Sequence, residues 1–230
     1  MAAQYDRIDA ASLTIVDFVG RRYGIAGLAG AGDAARTRFA RPDITADERA
    51  LARLVDPNAA LLAPIGTPEA RTTDALASAV HCDRQPLPPT YLTDLAALAS
   101  GGGYDATHAA LAVGWLEELG CASAASDELR QRLVSSIEAE WRAGDGLVDL
   151  RAEQSAFAIY LGGTLTIDAA WSQAILDNQR PDGGWGQNGP SSESSWHTTI
   201  LAMWSLAAQD PANNTGPMSQ VPMLSFVAGR

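Results

Sequence analysis

Two of the chain's three histidines, His108 and His197, are the residues whose type and setting best suit chemistry. Imidazole titrates near neutrality, so each can serve as an acid, a base or a metal ligand. Each follows a Gly-rich turn, Gly101-Gly102-Gly103 for His108 and Asp182-Gly183-Gly184 for His197, and each opens a charge-poor stretch. Gln154 stands in the same relation to Gly144-Asp145-Gly146. With the three stretches in register, His108, Gln154 and His197 share one column, and Leu111, Phe157 and Ile200 share another. Asp105 and Glu153 lie on the same first turns and are placed to orient or charge-balance the imidazoles. Two imidazoles with one or two carboxylates suit a divalent metal, Zn or Fe, with positions left open for water or substrate. The same column also reads as a hydrogen-bonded ring that only bridges helices.

The elements that must position this column are helical hairpins. The column residues are 46 and 43 positions apart, a period at which paired helices form repeat arrays. The first helix of each unit (Tyr91–Ala99, 129–141, 169–178) carries most of the charge, whereas the second (109–116, 155–162, 198–208) is apolar nearly all round. A helix of the second kind is buried on most sides. Alternating outer and inner helices make an all-α fold, an α/α toroid, with the column near one mouth. Upstream, residues 10–21 and 46–54 have helical spacing, and Thr45-Ala46-Asp47-Glu48 is a capping box. Residues 24–32 read as a loop; no Lys-Ser/Thr follows their glycines, so they do not read as a phosphate site. The organisation expected is one domain over 1–230: a poorly defined helical segment (1–70) with no assigned function, hairpin repeats (71–208) and a surface tail (209–230). So few hairpins imply a ring that is short, open, or completed by the N-terminal segment or a second copy, so a homo-oligomer is one expectation.

Gln179-x3-Gly183-x-Trp185 resembles the QW motif of squalene and hopene cyclases, and Trp196-His197-Thr198-Thr199 resembles the helix of protein prenyltransferase β-subunits that donates a zinc-binding His. The resemblance spans roughly residues 90–208. It implies an α/α toroid with an apolar central cavity, a hydrophobic, terpenoid-like substrate, and a metal-ligand role for His197. The prenyltransferase Asp-x-Cys ligand pair has no counterpart, since that position reads Arg151-Ala152-Glu153-Gln154. The Asp-x-Asp-Asp acid motif of the cyclases is also missing; Asp105-Ala106-Thr107 holds one carboxylate. Trp115 and Trp204 each sit seven residues after their histidine, two turns along the same face. With Gln154 and Trp196 they are the expected substrate contacts.

His81-Cys82-Asp83 ends an apolar helical stretch, and Cys121 ends the second helix of the first hairpin. Three readings stand for these residues: plain buried thiols, a Cys82–Cys121 disulfide between adjacent helix ends, or a metal bound by His81 and Cys82. The chain's 230 residues, 47% apolar, suffice for one core. A formal charge of −11 argues against nucleic acid and anionic membrane surfaces. No apolar run reaches membrane-spanning length, and residues 1–20 lack the basic and apolar regions of a signal peptide. A cytoplasmic protein is expected. The function expected is an enzyme with an apolar cavity acting on a hydrophobic small molecule through His108 and His197. The alternatives are a non-catalytic binding module and an interaction protein on a degenerate toroid.

Overall fold

The computed structural model describes residues 5–60, 72–144, 149–162, 169–189, 193–209 and 221–227. These residues are all-α in class; the sheet among them is one antiparallel pair of two-residue strands. Helix α1 (Ala10–Tyr23) is capped by the Asp9 carboxylate, which accepts from the Ser12 amide, and ends on Gly24 at φ 64°. A 3-10 turn (Ala26–Leu28) leads to α2 (Ala31–Phe39), whose first two residues fall within the 24–32 stretch that the sequence analysis reads as a loop. The Gly/Ala run that suggests a loop also supplies the small residues of that helix's buried start, Ala31 and Gly32. Thr45 and Glu48 form the expected capping box on α3 (Ala46–Ala50), which tightens into a second 3-10 turn, Ala52–Leu54. Then follow α4 (Thr72–Val80), α5 (Tyr91–Ala99), α6 (Gly103–Glu118), α7 (Ala124–Ala143), α8 (Asp149–Tyr160) and α9 (Ala169–Asp177). Strands β1 (Trp185–Gly186) and β2 (Ser194–Ser195) precede α10 (Trp196–Gln209). None of these helices is long and apolar enough to cross a membrane.

Composition sorts the helices by burial. Every residue of α6 from 109 to 116 is buried. Gly114 lets α8 come close, because a Cβ there would meet the Tyr160 ring at 2.2 Å. In α7 only one face is buried, through Leu129, Leu133, Ile137 and Trp141 at every fourth position. Helices α4, α6, α8, α10 and α1 each pack against the next in that order. Helix α2 packs on α1, α5 on α6, α7 on both α6 and α8, and α9 on α10. Edge-to-face contacts among Phe18, Phe157, Tyr160 and Trp204 tie α1, α8 and α10 together.

Three local devices set the helix ends. Gly102, at φ 69°, leaves room for Glu140, whose carboxylate accepts from the Gly103 amide at the start of α6. The β1–β2 pair holds the turn around Gly183 and Gly184 against the start of α10; a Cβ on Gly184 would lie 2.7 Å from Ser194. In the QW-like stretch, the Trp185 indole donates to the Ile175 carbonyl in the last turn of α9 (2.6 Å), and Gln179 donates to the Gly183 carbonyl (2.9 Å). At the other end of α6, Cys82 and Cys121 form a disulfide with Cα atoms 6.2 Å apart. The sequence analysis expects a surface tail over 209–230. Residues 210–220 and 228–230 lie outside the described residues, but Met223 and Leu224 are buried rather than on the surface. Their amides donate to the Glu118 carboxylate, and Arg21 donates to the carbonyls of Pro222 and Met223.

Candidate functional site

Asp149 and Glu153 stand one turn apart at the start of α8, so both carboxylates leave the helix on one face. His197 occupies the first turn of α10, where Thr198 is also placed. The contact between α8 and α10 brings the three groups together: one ligand atom from each of Asp149, Glu153 and His197 lies within 4.8 Å of the others. His197 Nδ1 lies 3.0 Å from both Asp149 oxygens, and its Nε2 lies 3.4 Å from Glu153 Oε2. Asp149 also accepts from the Tyr104 hydroxyl (2.9 Å) and the Thr198 hydroxyl. Glu153 Oε1 accepts from the Thr107 hydroxyl and lies 3.6 Å from His108 Nδ1. The Tyr104 carbonyl can only accept, so in its 2.6 Å contact with His108 the ring Nδ1–H is the donor.

Glu153 is the most exacting group in the site. Its solvent exposure is 0%, yet Oε2 makes no hydrogen bond among the described residues. Burial pushes its carboxyl pKa up, and the attraction of His108, the Thr107 hydrogen bond and His197 offset this only in part. Asp149 goes the other way. Burial raises it, but the hydrogen bond and charge of His197, with Thr198 and Tyr104, bring it below its ordinary value. Burial lowers His197, and the Asp149 hydrogen bond and charge, joined by Glu153, more than reverse this. Asp149 is thus the stronger acid of the two and Glu153 the weaker.

The group lies at the polar end of a cavity of about 390 Å³ between α1, α4, α6, α8 and α10. Glu153, His108, His197, Tyr104 and Asp105 line one end together with Asp9. Leu76, Leu111, Trp115, Phe157 and Met223 supply apolar lining, with Ile15, Leu51 and Leu54. Among the described residues, none of α2, α5, α7 or α9 lines it. The N-terminal segment, to which the sequence analysis assigns no function, supplies Asp9, Ser12, Thr14 and Ile15.

Of the residues named from sequence, His108, His197, Asp105, Glu153 and Trp115 all reach this cavity. Trp115 is buried and donates its indole N–H to the Met223 sulfur. Five others, Gln154, Trp196, Trp204, His81 and Cys82, are not among the residues that line it. Gln154, given the column position between the histidines, turns away to donate to Glu140 on α7, because the residue of α8 facing His108 is its neighbour Glu153. Trp196 is 42% exposed and lines a separate groove with Arg7 and Asp182. Trp204 is fully buried among aromatic rings of α1 and α8 and is not among the residues that line the cavity. The proposed His81–Cys82 metal pair is excluded, because Cys82 is spent in the disulfide. His81 is buried, and burial and the neighbouring Arg53 guanidinium both lower its pKa. Arg53 itself pairs with Asp83 and donates to the Val80 carbonyl.

Asp149 is the group that sequence reasoning missed. Its signal was the Asp149-x3-Glu153 spacing, two carboxylates on one helical face. Aligning on Gln154 hid it, and nothing local marks which face of α8 turns inward. Compared with family models, curated proteins and solved structures, the chain finds no match in any of the three.

Proposed function

We propose that this protein is an enzyme that takes a mostly apolar small molecule into the central cavity and works on it at Glu153 and His197 with a divalent metal ion. The observation that carries this reading is the buried Glu153 Oε2, without a hydrogen bond, 3.4 Å from His197 Nε2 at the polar end of an apolar cavity. Two ligands about 2.1 Å from one tetrahedral ion lie roughly 3.4 Å apart, so the spacing suits a shared ion. The surrounding bonds suit it too. A metal-bound histidine typically donates its other ring N–H to a carboxylate or carbonyl; His197 has Asp149 for this and His108 has the Tyr104 carbonyl. Such an ion, Zn or Fe by its nitrogen and oxygen donors, would activate a water or polarise a substrate oxygen.

The order α4, α6, α8, α10, α1 around one cavity supports an α/α toroid, closed by the N-terminal helix, and with it a likeness to terpenoid cyclases and prenyltransferases in architecture. The disulfide favours an oxidising compartment over the cytoplasm expected from sequence, since thiols stay reduced in the cytosol. One observation favours a second reading, acid–base chemistry with no ion: both nitrogens of His197 face carboxylates and its pKa is raised, which suits an imidazolium. Elemental analysis of the purified protein, beside Glu153→Gln and His197→Ala, separates the two. Near-stoichiometric metal that both substitutions remove is the expected result. Metal-free wild-type protein that also binds no added Zn or Fe would leave the acid–base reading.

A further inference from the structure

We infer that the cavity selects a ligand with a positively charged head, an ammonium-bearing molecule with an apolar body, and rejects anionic heads such as carboxylate, phosphate or diphosphate. The inference rests on the reading of the cavity as a ligand site and goes further by naming the chemical class.

The argument is one of charge. Asp9, Asp105 and Glu153 line the polar end, and Asp149 stands directly behind His197. Among the described residues, the two imidazoles are the sole basic side chains in the lining. All sixteen of the chain's Lys and Arg positions are Arg, and none of the described ones lines the cavity. Four carboxyl groups stand against two imidazoles, so negative charge outweighs positive there whether or not Glu153 holds a proton. An anionic head would therefore meet a surplus of its own sign with no guanidinium or ammonium to hold it. A cationic head meets the opposite situation. Among the described residues, the Asp105 carboxylate takes a single long contact, 3.3 Å from the Thr72 hydroxyl, and so keeps acceptor capacity. Deeper in, Glu153 lines the cavity, and its Oε2 makes no hydrogen bond among the described residues. The Tyr104 ring at the same end offers a π-face to a cation. Trp115, Phe157 and Met223 accommodate the apolar body.

The test is calorimetric titration of the protein as purified with three probes of one tail length: octyltrimethylammonium, 1-octanol and octanoate. The quaternary head cannot ligate a metal, so its binding reports the field of the carboxylates alone. The expected result is that octyltrimethylammonium binds about tenfold or more tighter than octanol, with octanoate weakest. That advantage should shrink in Asp105→Asn and with added salt. Octanol equal to or tighter than the ammonium probe, or octanoate binding as tightly as octanol, overturns the inference while leaving the cavity as a ligand site. No binding by any probe overturns the cavity reading and this inference together. Loss of metal in Glu153→Gln is read separately and bears on neither comparison.

Discussion

At the scale of single residues, the site turns on which groups are held and which are left free. Asp149 is fully engaged by His197, Tyr104 and Thr198, so its work is to fix the ring of His197 rather than to meet a substrate. Asp149→Asn keeps the shape and removes the charge. Metal affinity, read by competition with a chelator, is expected to fall about 10- to 100-fold with the helical circular dichroism unchanged; unchanged affinity would show that Asp149 does not position His197. His81 supports a different prediction. Its pKa is lowered in the folded state by burial and by Arg53, so on acidification the unfolded chain takes up the proton first, near the ordinary value of about 6.5. Stability then falls as the pH drops from there towards the lower folded value. Urea midpoints at neutral and mildly acidic pH should therefore diverge more in the wild type than in His81→Gln. The contribution of His197 has the opposite sign, since its folded pKa is raised, and it cancels in that comparison.

At the scale of elements, helix ends do the positioning. Glu118, at the last turn of α6, accepts from the Met223 and Leu224 amides and the Tyr160 hydroxyl, and so holds the 221–227 segment against the Trp115 end of the cavity. Glu118→Ala leaves those buried donors without an acceptor, a cost of about 1–3 kcal/mol. Hydrogen exchange at Met223 and Leu224 should quicken well beyond any change at α7; equal protection in both would show that Glu118 does not hold the segment. The start of α6 depends on Gly102, where positive φ and the closeness of Glu140 both exclude a side chain. Gly102→Ala is expected to destabilise by about 1 kcal/mol or more in chemical unfolding. That shift would come with loosened bonds from Glu140 to Gly103 and Gln154, because all three share one carboxylate.

At the scale of the molecule, the disulfide and the polar site stand at opposite ends of α6, so covalent bracing and chemistry are kept apart. The bond links residues 39 positions apart, and closing a loop of that length stabilises by about 4 kcal/mol in the chain-entropy account. Thiol titration in denaturant should find no free thiol before reduction, as both cysteines are paired. Unfolding under reducing conditions should shift to markedly lower urea. A free thiol in the unreduced protein would overturn the pairing and, with it, the argument for an oxidising compartment.

The sequence by itself determined the helical class, most helix positions from α4 onward and the inward-facing character of α6, α8 and α10. Each of these follows from local composition: charge-poor runs must be buried, and Gly turns and capping residues end helices wherever they occur. It also brought His108, His197 and Glu153 forward as candidates, because imidazoles after Gly turns are conspicuous in a chain with three histidines. It could not choose between Glu153 and Gln154. They are neighbours in sequence but some 100° apart around the helix, and only the packing of α8 against α6, α7 and α10 decides which one turns inward. The same holds for Trp204, whose seven-residue spacing gives it the face of His197 but sets it about 10 Å further along the helix, where it meets Phe18 and Phe157. Asp9 and Met223 show the limit most plainly. They lie more than two hundred positions apart and line one cavity, a juxtaposition that no local signal encodes and that exists only once α1 closes against α10.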